Sequence, residues 1–445
     1  MLRAVSPALL LAAVATAAGA QPPIAPGSGF EVERYAVAIR PDLATGTLSG
    51  TETVVVRGTG DGVTRLAFSP NALRIGDATV DGAPVRVLSS EDAVVFALPR
   101  PLRRGDEVAI RFRIEGRPKR GLTTAAGGVY TGYFACDWMV CLQDAPGDKA
   151  HLTLDLFLPA GARSLAAGRV EAERRLPDGL VLHRWRTDRP YSPYLFAFAA
   201  GPFARRSVRT AGGELVYADA TGTRADLPAL FADTPGMLAF FVRKAGMGPP
   251  HGRYTQLLVP GREAQETAGF SLIGAGELDR ERADPSSAWI VAHELAHQWW
   301  GNLVTCGTWR EFWLNEGLAT FMVAAWKEHR LGRAAYVREL DGARRRVERV
   351  REQGFDKPLS WAGGYPSLGA RRAVHYAKGA LFFAHLRELI GDAAFWDGLR
   401  RYTRRHAGGT VTSGDLWIAM ERASGRDLSA TFAEWVHGSA DAPAR

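Results

Sequence analysis

The stretch VAHELAHQWW, residues 291–300, places two histidines four positions apart with a glutamate beside the first. Residues four apart on an α-helix lie on one face, so the imidazoles of His293 and His297 can reach one ion. Glu294 projects to the side, where its carboxylate can hold a water rather than the metal. The pattern favours a metal site, and the alternative is two histidines on a buried helix face.

The flanking residues predict where this helix begins and ends. Asp284 is a candidate N-cap, Pro285 suits the first helical position, and Gly301 is typical of the residue just past a helix end. We therefore expect one helix that starts after Asp284 and carries both histidines.

A second helical pattern, TWREFWLNEGLATF, supplies the third metal ligand. Glu316 follows His297 with eighteen residues between them, which is room for the first helix to end and a second to return antiparallel. Its neighbours are apolar, and a buried carboxylate without a cation is costly. Because catalytic zinc takes three protein ligands and keeps one position open, the sequence predicts a zinc site at His293, His297 and Glu316.

The segment before the metal motif has a different period. Val108, Ile110, Phe112 and Ile114 alternate with less apolar residues, and the run of leucines from Leu152 to Leu158 repeats this period of two. Longer helical periods replace it after about residue 205. We predict an α+β multidomain fold, with an antiparallel β-sheet domain over residues 21–205 and a mainly helical domain over residues 206–445.

The first twenty residues resemble a secretory signal, with Arg3, a short apolar stretch and small residues before Gln21. We expect cleavage there and a secreted or periplasmic protein without stable membrane insertion. The alternative is an N-terminal membrane anchor, which the short, alanine-rich stretch disfavours.

Charge and cysteine content exclude other classes of protein. Lys and Arg number 55 against 47 Asp and Glu, and the densest arginine run, residues 344–351, includes Glu348. Mixed charge on a helix indicates a solvated face, so we expect no nucleic-acid binding. Three cysteines cannot form a disulfide framework, although Cys136 and Cys141 could pair in an oxidising compartment and leave Cys306 free.

The segments HELAHQWWGNLVT and WLNEGLA together resemble the aminopeptidase N family of gluzincin metallopeptidases. VHYAKGALFF and SGRDLSATFAEWV extend the resemblance to the end of the helical region. It implies a thermolysin-like catalytic domain that binds one zinc ion per chain through His293, His297 and Glu316. It also implies that Glu294 is the general base and that Tyr376 donates a hydrogen bond to the oxyanion, whereas from the residues alone Tyr376 would be a core tyrosine.

The chain departs from the family where the substrate's ammonium is bound. The family's Gly-Ala-Met-Glu-Asn motif, on an edge strand, corresponds here to residues 263–267, which keep only Ala264 and Glu266. The resemblance implies that Glu266 binds the ammonium, and the alternative is a solvent-facing loop acid. A second anchoring residue, expected just before ACDWMVCLQDAPGDKAHLTL, has no clear counterpart. The family's C-terminal helical domain also has no counterpart in this sequence. The resemblance therefore implies an active-site cleft that is open or is closed by another subunit.

These features predict a zinc-dependent aminopeptidase that acts on peptides. The alternatives are a gluzincin endopeptidase or dipeptidase, and a non-catalytic zinc-containing protein that binds peptides. Glu266 argues against the endopeptidase. Glu294 and Tyr376 argue against the non-catalytic protein, because neither is needed to hold a metal.

Overall fold

The computed structural model describes residues 24–284, 286 and 288–438. The predicted signal segment and Pro285 lie outside the described residues. No helix in these ranges is long and apolar enough to cross a membrane.

The N-terminal half is built from strands in three sheets. Their bounds are β1 (Phe30–Pro41), β2 (Leu48–Gly58), β3 (Val63–Phe68), β4 (Arg74–Val80), β5 (Ala83–Pro84), β6 (Val87–Ser89), β7 (Val94–Leu102), β8 (Glu107–Gly116), β9 (Leu122–Ala125), β10 (Gly128–Thr131), β11 (His151–Leu158), β12 (Arg163–Ala166), β13 (Arg169–Arg175), β14 (Val181–Arg186) and β15 (Phe198–Gly201). The largest sheet has eight strands in the order β13-β14-β11-β1-β2-β8-β4-β5.

The alternation of apolar residues is confirmed in this half. Along β8 the four predicted inward residues are buried while Arg111 and Arg113 are exposed, and the β11 leucines are all buried. Pairing is antiparallel except between β1 and β11, which run parallel. This exception arises because β11 returns to the sheet after a long excursion through residues 117–150 rather than through a hairpin.

A mixed sheet of five strands opens the second half. It comprises β16 (Ala204–Thr210), β17 (Gly213–Asp219), β18 (Arg253–Val259), β19 (Ala264–Thr267) and β20 (Phe270–Gly274), in the order β16-β17-β18-β20-β19. Two-residue strands β21 (Thr305–Cys306) and β22 (Thr410–Val411) pair separately. β19 and β20 form an antiparallel hairpin beyond Val259, and β19 is an edge strand.

The rest of this half is mainly helical, as predicted. The helices are α1 (Leu227–Leu230), α2 (Thr234–Ala245), α3 (Ala275–Ala283), α4 (Ile290–Ala296), α5 (Trp313–Leu331), α6 (Arg333–Glu352), α7 (Leu368–Arg372), α8 (Gly379–Ile390), α9 (Asp392–Arg405), α10 (Ser413–Ser424) and α11 (Ser429–Phe432). A π-helical segment, Ala373–Lys378, joins α7 to α8. The apolar faces of α4, α5 and α8 form one buried core with α9 and α10.

The predicted start of the histidine helix is wrong. Asp284 ends α3 instead of beginning the next helix, and its carboxylate accepts hydrogen bonds from the backbone and side chain of Ser286. The helix begins at Ile290, where the Glu281 carboxylate accepts the backbone N–H groups of Trp289 and Ile290. A cap from a neighbouring helix leaves no local signal in the sequence.

Candidate active site

The three predicted metal ligands converge between α4 and α5. His293 lies on α4, His297 is the residue that ends it, and Glu316 lies in the first turn of α5. The two histidine Nε2 atoms are 3.0 Å apart, and Glu316 Oε2 lies 3.2 Å from His293 Nε2 and 3.3 Å from His297 Nε2. In the described part of the chain, no other group of histidine, cysteine and acidic side chains is arranged to hold a metal.

These distances fit a zinc ion. Ligand atoms about 2.0 to 2.1 Å from a tetrahedral zinc lie about 3.3 Å from one another. Two imidazole nitrogens facing each other in a buried site repel unless a cation or a proton lies between them. The His297 Nδ1 lies 3.0 Å from the Trp300 carbonyl, an acceptor that keeps the proton on Nδ1 and leaves the Nε2 lone pair for the metal.

Gly301 has a role other than the predicted helix end. Its φ of +130° is a conformation that side chains disfavour, and a Cβ there would lie 2.7 Å from the His297 Nδ1. Only a glycine lets the backbone pass this close behind the imidazole. His293 is supported differently, because its ring stacks on the Trp289 indole with 3.9 Å between centroids.

The electrostatics of the ligand set favour a cation. Burial opposes the charged form of His297, but Glu316, Glu266 and Glu294 outweigh it and raise its pKa to about 10. Burial likewise opposes ionisation of Glu316, yet the two histidines hold its pKa well below the usual range. The carboxylates that stabilise an imidazolium here would also stabilise a metal ion.

Glu294 is buried beside the metal ligands with one carboxylate oxygen uncommitted. Its Oε2 has no hydrogen-bond partner among the described residues, although the side chain is only 4% exposed. Burial, followed by the charge of Glu266, raises its pKa well above the usual range. A buried polar atom without a partner is uncommon. A cation at the ion site would lower this pKa again and leave the free oxygen able to accept a proton.

Tyr376 lies on the π-helical segment, next to the first metal ligand. Its ring stacks against the His293 imidazole with 5.7 Å between centroids. Burial, then the charges of Glu316, Glu266 and Glu294, raise the pKa of its phenol. The hydroxyl is therefore protonated and can donate a hydrogen bond.

A backbone contact sets the distance between Tyr376 and the third ligand. A Cβ on Gly317, the residue after Glu316, would lie 2.7 Å from the Gly379 Cα and 3.1 Å from the His375 carbonyl oxygen. α5 therefore meets the start of α8 through two glycines with no side chain between them. Gly379 lies in VHYAKGALFF, the segment that resembles the family's tyrosine motif, but its contact with Gly317 was not predicted from the sequence.

Glu266 lies on β19, next to the metal helix. It pairs with Ser271 on β20, and the Ser271 hydroxyl donates to the Glu294 carbonyl at 3.3 Å, which links this strand pair to α4. Burial raises the pKa of Glu266 to about 7, while His297 lowers it. The structure thus places Glu266 on the predicted edge strand, half-buried, and not in a solvent-facing loop.

Two amides that the sequence analysis did not assign hold the β19–β20 turn. Asn302 and Gln298 both donate to the Thr267 carbonyl, at 3.0 and 3.2 Å, and Gln298 Oε1 accepts the Gly269 N–H at 3.1 Å. Both are buried and follow the second histidine closely in sequence. Buried amides next to a metal motif are the signal that could have revealed them.

The matches to known proteins agree with this geometry. Residues 271–435 match the Peptidase family M1 domain. The chain is 28% identical to an aminopeptidase N of Lactococcus lactis subsp. lactis over 68% of its length and 38% of that protein. It is 25% identical to an aminopeptidase N of Lactobacillus helveticus, over 92% of the chain and 51% of that protein. The chain thus spans about half the length, or less, of these curated relatives.

A solved structure matches over nearly its whole length. It is a point mutant of the M1 zinc metallopeptidase from Deinococcus radiodurans bound to a Tyr-Ser-Ala substrate, with 26% identity, a TM-score of 0.77 and coverage of 92% of this chain and 94% of that one. The same metallopeptidase without a named ligand aligns with 27% identity and the same TM-score. By its fold, its metal-ligand set and these matches, the chain is similar to the zinc metallopeptidases of family M1, whose domain residues 271–435 match.

Proposed function

We propose that the protein is a zinc-dependent aminopeptidase that removes the N-terminal residue of peptides. The observation that carries the proposal is the juxtaposition of a zinc-ligand set with the uncommitted Glu294 carboxylate and with Glu266 on the neighbouring edge strand. A metal-binding protein without catalysis needs neither carboxylate.

His293, His297 and Glu316 would hold the ion, which supplies Lewis acidity for activating a water and polarising a carbonyl. Glu294 takes a proton from the water at its free Oε2 and then gives a proton to the leaving amine. Tyr376 donates its phenolic hydrogen bond to the oxyanion, a contribution typically worth about 3 to 4 kcal/mol of barrier.

Glu266 confines cleavage to the first peptide bond in this proposal. Its carboxylate pairs with the substrate's α-ammonium, and the strand contact through Ser271 fixes its distance from Glu294. Truncating one partner of a desolvated charge pair typically costs about 2 to 5 kcal/mol. A peptide whose amine is acetylated lacks the charge and loses this interaction.

The test compares free and N-acetylated copies of one peptide library and identifies the bond cut by mass spectrometry. We expect cleavage of the first bond in the free peptides only, and Glu266→Ala should remove most of the difference. Glu263→Ala is the matched control, since Glu263 is an exposed acid on the same segment. Efficient internal cleavage of acetylated peptides by the unmodified protein would replace this proposal with an endopeptidase.

Metal content tests the ligand set independently. The purified, zinc-supplemented protein should contain about one zinc per chain, as three protein ligands with one open position imply. His297→Ala should lose it. Metal content that is near zero, or that is the same in this variant, would reject the assignment.

A further inference from the structure

Tyr133 has a backbone conformation that is unfavourable for its side chain. Its φ is +58°, in the left-handed region where bulky residues are outliers. Such conformations persist only when surrounding contacts enforce them, and they concentrate at functional sites. The question is what holds Tyr133 there and what its ring can then do.

Two hydrogen bonds hold Tyr133 against the strand that carries Glu266, and a third ties it to the N-terminal half. Its backbone N–H donates to Gln265 Oε1 at 2.5 Å, and its hydroxyl donates to the Ala264 carbonyl. Its own carbonyl accepts the Gln143 side-chain amide at 2.9 Å. The residue before it is a glycine, at which a Cβ would lie 3.0 Å from the same Gln265 oxygen. The N-terminal half therefore closes on β19 at this point.

The ring remains open to solvent although its surroundings are buried. Tyr133 is 42% exposed, whereas residues 128–131 before it and 135–142 after it are buried. After burial, the charges of Glu294 and Glu266 contribute to raising the pKa of its phenol. A partly exposed aromatic ring is thus anchored to Ala264, two residues from Glu266 on the same strand.

We propose that the Tyr133 ring is a specificity-determining wall against which the first side chain of the peptide packs, favouring aromatic and large apolar N-terminal residues over alanine. The proposal rests on the aminopeptidase function above, because Glu266 then fixes the substrate's α-carbon at this end of the cleft. The hydroxyl, tied to Ala264, keeps the ring in place and does not itself contact the substrate.

The variants separate the ring from the backbone that carries it. Tyr133→Asn removes the ring but tolerates the left-handed conformation, and Tyr133→Gly adopts it without strain. Tyr133→Phe keeps the ring and loses the hydroxyl. For each variant, kcat/KM is measured on peptides that differ only in a first residue of Phe, Leu or Ala, and binding of free L-phenylalanine and L-alanine to the zinc-loaded protein is measured by calorimetry.

We expect kcat/KM for the peptide that begins with phenylalanine, divided by kcat/KM for the peptide that begins with alanine, to fall by about tenfold in Tyr133→Asn and Tyr133→Gly. A tenfold change is typical of discrimination by a hydrophobic pocket. L-Phenylalanine binding should weaken in parallel. Tyr133→Phe should largely keep the original ratio. An equal loss for all three peptides, or an unchanged ratio, would overturn the inference and leave Tyr133 as a support for β19. If the unmodified protein cleaves none of these peptides, the proposed function itself has failed.

Discussion

Glu294 is the residue whose surroundings are explained best by catalysis. A carboxylate with one oxygen unpartnered, 4% exposed and next to three other titratable ligands is unfavourable for folding alone. Its position beside the metal ligands could be predicted because a four-residue spacing on a helix brings both imidazoles to one ion. The Glu281 cap and the close approach of Gly301 could not be predicted from the sequence. Both depend on contacts between segments, and the local pattern does not encode how those segments pack.

Removing the proton acceptor or the oxyanion donor should abolish most turnover without releasing the metal. Glu294→Gln and Tyr376→Phe keep the size of each side chain, and each should lower kcat by at least about a hundredfold, the loss expected for an acid-base group or an oxyanion donor. Steady-state kinetics and zinc content are measured on the same preparations. A variant that keeps nearly full turnover removes that residue from the mechanism.

Asp148, a buried carboxyl outside the candidate site, should make the free energy of unfolding depend on pH. Burial raises its pKa from 3.8 to about 7, while the Val32 backbone N–H, which it binds at 3.0 Å, lowers it. Because the folded form holds its proton more tightly than the unfolded chain does, the associated stability is present below about pH 4 and is lost as the pH rises towards 7.

Asp148→Asn keeps an acceptor for Val32 and removes the titration. We expect this variant to match the original protein near pH 4 and to exceed its free energy of unfolding at pH 8 by about 1 to 3 kcal/mol. Thermal or denaturant unfolding at both pH values measures this. Asp144→Asn, at an exposed position of the same loop, is the control and should show no pH-dependent gain. A constant difference between Asp148→Asn and the original protein at all pH values would contradict the linkage.

At the scale of elements, α5 and α8 bring together residues that lie far apart in sequence. Their meeting at Gly317 and Gly379 places Glu316 and Tyr376 on either side of one backbone contact. The existence of both helices could be predicted from their apolar periodicity. Their closest approach could not, because a helical glycine by itself indicates nothing about the partner it faces. The family resemblance identified Tyr376, which periodicity alone would assign to the core.

Adding one methyl group at this contact should separate the two helices. Gly317→Ala places a carbon 2.7 Å from the Gly379 Cα, so the backbones must move apart. We expect the free energy of unfolding to fall by about 1 to 3 kcal/mol, typical of overpacking, and turnover to fall with zinc occupancy. Gly342→Ala, in the middle of α6 where a Cβ meets only one arginine atom at 3.8 Å, is the control and should be neutral or stabilising. Unchanged stability in Gly317→Ala would show that α5 and α8 adjust freely.

Over the whole molecule, the N-terminal sheets support the catalytic half directly. The Lys149 ammonium donates to the Leu303 carbonyl at 3.1 Å and to the Asn302 carbonyl at 3.3 Å, just after the metal helix. In return, the Gln265 amide of the catalytic half donates to the Tyr194 carbonyl of the N-terminal half at 3.3 Å. The period of apolar residues in each half predicted its fold class, but these joining contacts depend on relative placement that no local pattern encodes.

We also propose that the protein is exported and cleaved near Gln21. Cys136 and Cys141 form a disulfide, while Cys306 is free and buried. Such bonds persist in oxidising compartments. N-terminal sequencing of the exported protein should begin at or near Gln21, and alkylation after denaturation should modify one cysteine without reductant and three with it. Intact Met1 in a cytosolic fraction would contradict export, and three adducts without reductant would contradict the disulfide.

The ligand side chains are covered almost completely, with 1 to 3% of each exposed. We expect a bound ion to exchange slowly with the surroundings, because three buried ligands must release it before it reaches solvent. Loss of activity after a chelator is added should then develop over time rather than at once, and activity followed after chelator addition measures this.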